Sequence, residues 1–340
     1  MERVSQPGFL AERYPVEPLL RRLREARVDP AGAALGALGL LVVALLGLEL
    51  ATGALLALYY RPEREGARAS VQFVVTRVEY GELVRSLHGY GAHALLLALL
   101  ALLGGVLAAA RHRKPHEVAW SALVLVWFAA VAQAFTGSLL PWSARSALDA
   151  AVASGAVERV PVAGSALRAL VFGPAGGTEL VRLYGLHVGA LPALGTLCLL
   201  ALCLHVGGRL VGEGTAEAER VWPTLALRGA ALGCFAFAVL LALASRRPLP
   251  LGAAPSLGAA ASQAVAPSWF LAPLDLLLRR APARVLGLPG ATVVVVLCLL
   301  GVLGALALPA IDRRGGRLGQ VLGLAVLALS LGVMGLAILR

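Results

Sequence analysis

The chain has 340 residues, of which 59% are hydrophobic and only 14% charged. A soluble domain carries about 25% charged residues, so this composition excludes an ordinary water-soluble globule and asks for an apolar solvent. The formal charge of +11 rests almost wholly on arginine, Lys114 being the one lysine. The arginines sit at the ends of apolar runs, where membrane proteins keep them, so the partner is a lipid bilayer and no nucleic acid is indicated.

The first 30 residues are polar, rich in Arg and Glu, and lack the apolar stretch of a cleavable signal. Within them, Val16 to Arg27 sets leucines against arginines, as a helix lying on a membrane surface does. A spanning helix needs about 20 apolar residues. Seven stretches qualify: 33–58, 89–110, 118–140, 184–207, 225–244, 290–309 and 318–338. The three long connections, 59–87, 141–183 and 245–289, then fall on one side and the N-terminus on the other. Arginine and lysine divide evenly between the sides, but the N-terminal side concentrates them in short segments such as Arg111-His112-Arg113-Lys114 and Arg313-Arg314. Short basic segments stay in the cytoplasm, which predicts a cytoplasmic N-terminus and outward-facing long loops. Cys198, Cys203, Cys234 and Cys298 lie in apolar runs without a CxxC or CxxCH. They indicate neither zinc nor a covalently attached haem, and read as small buried hydrophobes.

His88 and His187 sit near the outer ends of the second and fourth stretches, which run in the same direction, so the two lie at equal depth. Imidazoles at one depth on two facing helices can clamp a haem iron. A porphyrin also needs neighbouring helices without side chains at that depth, and Gly53 and Gly137 are placed for this. Arg85, one turn further out, suits a haem propionate. The same histidines could instead hydrogen-bond between helices, and glycine is common in membrane helices, so the residues alone leave both readings open.

Longer motifs narrow the choice. Tyr59-Tyr60-Arg61-Pro62, Gly81-Glu82-Leu83-Val84-Arg85-Ser86-Leu87-His88, Arg113-Lys114-Pro115-His116-Glu117, Thr136-Gly137-Ser138-Leu139-Leu140-Pro141-Trp142, Arg182-Leu183-Tyr184-Gly185-Leu186-His187 and Pro267-Ser268-Trp269-Phe270 occur in that order. The chain thereby resembles the cytochrome b of bc-type quinol-oxidising complexes, in the chloroplast-type layout with cytochrome b and subunit IV fused. The resemblance implies an all-α integral membrane fold: a four-helix haem-binding bundle, then three further transmembrane helices. Residues 1–30 would be the surface segment, 31–212 the haem domain and 213–340 the subunit IV-like part. It further implies haem b on His88 and His187, quinol as substrate at the Ser268-Trp269 loop, and an iron–sulfur (Rieske-type) protein and a c-type cytochrome as partners. A homo- or heterodimer in the cytoplasmic (inner) membrane completes the expectation.

The sequence departs from that family twice. Its second, inner pair of haem histidines would fall at Leu102 and at Leu202 (or Ala201), and its inner glycine on the third helix is Leu123; only Gly39 remains. Leucines at one depth would fill the volume a haem left, since a residual cavity costs about 24 cal/mol per Å³. One haem, at the outer level, is therefore expected. No other histidine replaces the lost pair, because His93 and His205 differ in depth by roughly 19 Å at 1.5 Å per residue. His93 reads as a helix–helix contact, His205 (with Arg209) as an interfacial group, and His112 and His116 as solvated charge. The second departure is Ser268, where the family carries a Glu suited to general-base work; Phe270 likewise replaces a Tyr. Glu179 and Asp275 are acids of the outer loops, with no sequence reason to place either at the site. Two functions fit: a one-haem electron-transfer subunit without a complete Q-cycle, or a non-catalytic scaffold or heterodimer paralogue anchoring redox partners. A transporter is poorly supported, with Glu49 the clearest membrane-buried acid and no internal repeat visible.

Overall fold

The computed structural model describes residues 24–173, 180–207, 218–255 and 265–312 continuously, with isolated positions at 17, 21, 317, 320–321, 323–325, 328 and 332. Half of the amphipathic segment 16–27 and about two thirds of the seventh stretch, 318–338, therefore lie outside the described residues.

Six described helices are long and apolar enough to cross a membrane. In chain order the elements are strand β1 (Arg27–Val28), α1 (Pro30–Ala57), α2 (Arg64–Arg77), α3 (Gly81–Ala108), α4 (Glu117–Leu139), α5 (Ala144–Glu158) and α6 (Gly164–Phe172). The fourth span follows as α7 (Leu180–Gly185), a π-helical turn (Leu186–Ala190) and α8 (Leu191–Gly207). After it come β2 (Glu219–Arg220), a second π turn (Val221–Leu225), α9 (Ala226–Arg246), α10 (Ala272–Arg280), β3 (Arg284–Val285), β4 (Leu288–Pro289) and α11 (Gly290–Ile311). The chain is an integral membrane protein, all-α apart from two small two-stranded ribbons. Backbone hydrogen bonds must be satisfied internally where no water is present, which is why each of the six described spans is helical.

The helix α3 begins at Gly81, eight residues before the apolar stretch that marks it in the sequence. Its first turns are polar, so hydropathy alone misses them, and His88 sits two turns inside rather than at an edge. The long connections carry the short helices α2, α5, α6 and α10, and they gather at one end of the bundle. Arg68 donates to the carbonyls of Gly252 and Ala253, the Ala144 N–H to the Ala253 carbonyl at 2.9 Å, and the Leu249 N–H to Ser86 Oγ at 3.0 Å. The opposite end is closed by β1 pairing antiparallel with β2, and by Arg111 on Asp29 at 2.5 Å.

That closed end corrects one sequence expectation. His112 is not a solvated charge: it is fully buried, with Nε2 2.8 Å from Asp312 Oδ2, and Arg113 bonds the same oxygen at 2.9 Å. The apolar neighbourhood that excludes water includes the Trp120 ring, 5.8 Å away. The cysteines are a second correction. Cys203, Cys234 and Cys298 are exposed on spanning helices, and only Cys198, half-buried, packs against the core cluster; an outward apolar thiol suits a helix face that a bilayer would cover.

Within the bundle α1 packs on α3, α4 packs on α8, and α9 lies against α1 and α3. The α1–α9 seam is built on small residues. A Cβ on Gly36 would meet Leu225 at 2.9 Å, one on Gly233 would meet Ala44 at 3.2 Å, and Gly229 faces Leu40. Small residues let membrane helices approach closely. At the inner level Leu102 and Leu123 are buried, and Leu202 packs against the same cluster with Val42, Leu45, Leu95, Leu99 and Leu103. A Cβ on Gly39, in contrast, would have nothing within 4 Å.

Candidate functional site

At the outer level, four helices converge on His88 of α3 and His187 of the π turn. The imidazole centres lie 6.2 Å apart, with planes at 88°. A ring nitrogen binds a metal at about 2 Å, with the ring centre about 1 Å behind it, so two imidazoles on opposite sides of one iron have centres about 6 Å apart.

The hydrogen bonds fix the tautomer. Thr52 Oγ1 donates to the Leu48 carbonyl at 2.7 Å, so towards His88 Nδ1, 3.0 Å away, it can only accept. Thr136 repeats the arrangement on α4, donating to Ala132 at 2.9 Å and accepting from His187 Nδ1 at 3.1 Å. His187 Nδ1 also lies 3.1 Å from the Gln133 carbonyl, which has no proton to give. Both rings therefore carry their proton on Nδ1 and keep a bare lone pair on Nε2, the form that ligates a metal. Bonding the far nitrogen also orients the ring.

The glycines stand against the same rings. A Cβ on Gly53 would lie 3.1 Å from His88 Cε1, and one on Gly137 2.7 Å from His187 Cε1. Glu49 adds a contact of 3.2 Å from Oε2 to His88 Nδ1, and Gln133 Nε2 donates to the His187 carbonyl at 2.6 Å. Glu49 Oε1 and Gln133 Oε1 are buried without hydrogen-bond partners. Thus α1 and α4 present one pattern, Glu49-x-x-Thr52-Gly53 and Gln133-x-x-Thr136-Gly137, to one histidine each. The sequence reading found the glycines and missed the threonines, although the repeated Thr-Gly pair was there to be seen. Backbone spacing, ligand tautomer and glycine cradle all fit a haem held by His88 and His187. Arg85, expected beside a propionate, directs Nη1 to the Leu249 carbonyl at 2.6 Å and Nη2 to that of Pro250 at 3.2 Å.

The π turn follows from the sequence. Pro192 has no N–H to give and cannot close an ordinary helical bond, and the Leu191 N–H reaches back to Leu186 across five residues. Such turns gather at functional sites.

The loop Pro267-Ser268-Trp269-Phe270 lies close by. Trp269 donates from Nε1 to His93 Nδ1 at 3.0 Å. His93, five residues or about 7.5 Å further along α3 than His88, therefore holds this loop rather than a neighbouring helix, because Trp269 reaches in to it from the loop. Ser268 is buried, and its partner is neither Asp275, which pairs with Arg279, nor Glu179, which lies outside the described residues. It is Asp149 of α5, an acid that sequence reading passed over. The side of α5 carrying Val152 and Gly155 forms, with Leu278 and Ala291, a cleft of about 330 Å³.

Comparison with known proteins gives the same picture. The family model described as Cytochrome b/b6/petB matches residues 28–208. Cytochrome b/c1 of Bradyrhizobium diazoefficiens is 28% identical over 276 residues, covering 77% of this chain and 40% of that protein, so the chain spans less than half of that relative. The cytochrome bc complex cytochrome b subunit of Chlorobaculum thiosulfatiphilum is 26% identical over 327 residues, covering 92% of this chain and 75% of that one. Cytochrome b6 of Cyanidium caldarium is 32% identical over 160 residues, 46% of this chain and 74% of that one. A chain of a hyperthermophilic respiratory Complex III shares the fold, with a TM-score of 0.71 at 20% identity, covering 97% of this chain and 95% of that one.

Proposed function

Because the chain belongs to the cytochrome b/b6 family, we propose that it is the membrane electron-transfer subunit of a bc-type complex, holding a single b haem between His88 and His187 and drawing electrons from quinol. The observation that carries this is the doubled cradle: two histidines in the ligand tautomer, each backed by a threonine and a glycine. A haem bound there supplies a one-electron carrier near the long loops. The residues of the chain do the rest. Thr52 and Thr136 orient the imidazoles, Gly53 and Gly137 leave the planes clear, and the unused donors of Arg85 are available to a propionate.

At the inner level Leu102, Leu123 and Leu202 occupy the space that a second haem needs, and electrons have no relay onward. The subunit therefore works without a complete Q-cycle of its own. Residues 31–212 form the haem-holding part and 213–340 the part that brings the Ser268-Trp269 loop over it. The N-terminus lies in the cytoplasm, the long loops on the outer face, and the electron acceptors are an iron–sulfur protein and a c-type cytochrome docked there. Ser268, in place of a carboxylate, favours the second reading, a scaffold or heterodimer partner that only anchors those proteins.

The pyridine haemochrome spectrum of the purified chain, quantified against protein, separates the two. About one b haem per chain, lost in His88→Leu, supports the electron carrier; no haem leaves the scaffold, and two haems contradict the leucine-filled inner level.

A further inference from the structure

The buried contact between Asp149 and Ser268 is not explained by the haem cradle. Asp149 is fully buried in α5. Its Oδ1 accepts the Ser268 N–H at 2.9 Å and its Oδ2 accepts the Ser268 hydroxyl at 2.5 Å, with Ser138 Oγ 3.4 Å from Oδ2. Ser138 follows the haem-facing Gly137, so this acid borders the candidate haem site. No described Arg or Lys forms an ion pair with Asp149; Arg145, one helical turn away, acts on it and on His93 only through space. An unpaired buried carboxyl is a costly way to pin a loop, since an amide or hydroxyl makes comparable bonds without a charge to desolvate. Burial pushes the Asp149 carboxyl above its usual range, against the pull of Ser268, Arg145 and Ser138. The Ser268 oxygen donates its one proton to Asp149, and no described residue donates to it in return, so its own acceptor capacity is unused.

We infer that Asp149 and Ser268 form a proton relay for quinol, in which α5 supplies the carboxylate that the loop itself lacks. The inference rests on the quinol reading above. A quinol O–H donates to Ser268 Oγ as the Ser268 proton passes to Asp149 Oδ2, so the serine is restored and the proton rests on the carboxyl. Oxidation to quinone releases two electrons and two protons. A haem held by His88 and His187 would take up one electron and the iron–sulfur partner the other; one proton goes to Asp149 and the other to water on the loop side. Asp149 touches Ser268 rather than substrate, and so acts as a positioning and proton-holding residue. The charged and titratable groups facing the relay are Arg145 on its own helix and His93 across the loop.

The test uses membranes carrying the assembled complex, with a short-chain quinol as reductant, and follows haem reduction and c-type cytochrome reduction against pH. Asp149→Asn keeps the shape and the acceptor for the Ser268 amide. It is expected to keep haem content and spectrum, lose about tenfold or more in rate, and lose the acid limb of the pH profile that the carboxylate imposes. The quinol-driven infrared difference spectrum should gain a protonated-carboxyl band in the parent and not in Asp149→Asn. Adding Ser268→Glu to Asp149→Asn should restore the rate. Should Asp149→Asn lose its haem, Ser268→Ala, which leaves the carboxyl and its amide bond in place, is expected to show the same fall in rate. Parental rate and pH profile in Asp149→Asn or in Ser268→Ala, or no rescue in the double variant, would overturn the relay. No quinol-driven haem reduction in the parent would instead overturn the quinol reading on which it depends.

Discussion

The outer and inner levels of the four-helix bundle are made from the same helices, about fourteen residues or four turns apart, and they have opposite designs. The outer level keeps polar atoms inside the bundle and arranges them in matched pairs: His88 with Thr52 and Gly53, His187 with Thr136 and Gly137. The inner level has no such pairs. Leu102 and Leu123 are buried in one apolar cluster that Leu202 packs against, and Gly39 faces open space. A glycine against an imidazole is a constraint, whereas a Cβ added at Gly39 would meet nothing. The same residue type thus carries different meanings at the two levels, and only the neighbours tell which.

The comparison can be broken most directly at the ligands. His187→Leu should abolish haem binding, read as the haemochrome falling from about one per chain to background, and a retained spectrum would put the ligand elsewhere. Next in size is a pair of glycine substitutions. Gly137→Val puts a methyl-bearing carbon where even a bare Cβ would lie 2.7 Å from His187, and should cut haem incorporation several-fold, whereas Gly39→Val should leave it unchanged. Equal behaviour of the two would erase the distinction drawn between the levels. Leu123→Ala should cost about 2–5 kcal/mol by opening a cavity, lowering the thermal midpoint in detergent at unaltered haem content. Thr136→Val should weaken haem retention about fivefold, the worth of one hydrogen bond of about 1 kcal/mol, measurable by transfer to apomyoglobin.

The smallest effect lies at the closed end. The His112 hydrogen bond, with Arg113 assisting, holds Asp312 below the usual carboxylate range. A carboxylate whose folded pKa is lowered contributes stability above its unfolded value of about 4 and loses it as the pH falls through the folded value. Asp312→Asn should therefore lower stability in detergent modestly at neutral pH and flatten the acid side of the profile, the difference from the parent vanishing as the pH falls through the folded value.

The spans were legible because hydropathy reads the requirement of the bilayer directly, residue by residue. His88, His187, Gly53 and Gly137 were legible because a helix converts spacing into depth. Thr52 and Thr136 escaped notice, since a threonine in a membrane helix commonly bonds its own i−4 carbonyl, and only the facing imidazole reveals its second duty. Asp149 was out of reach: its partner is 119 residues away, and the pairing exists only once the α5 loop is folded over the Ser268 loop. The same holds for His112 and Asp312, 200 residues apart. A basic loop reads as solvated until the acid that buries it is seen.

The α1–α9 seam has one more consequence. Gly36 meets Leu225, Leu40 meets Gly229 and Ala44 meets Gly233, a constant offset in sequence that two helices running the same way can keep turn after turn. Together with the β1–β2 pairing, which also joins the two halves, this seam is a self-sufficient recognition surface. Chains cut between Gly207 and Ala218 should find each other in the membrane and migrate as one species on a native gel. What the covalent link guarantees is then arithmetic: every half that carries His88 and His187 is made with one, and only one, copy of the half that carries the Ser268 loop.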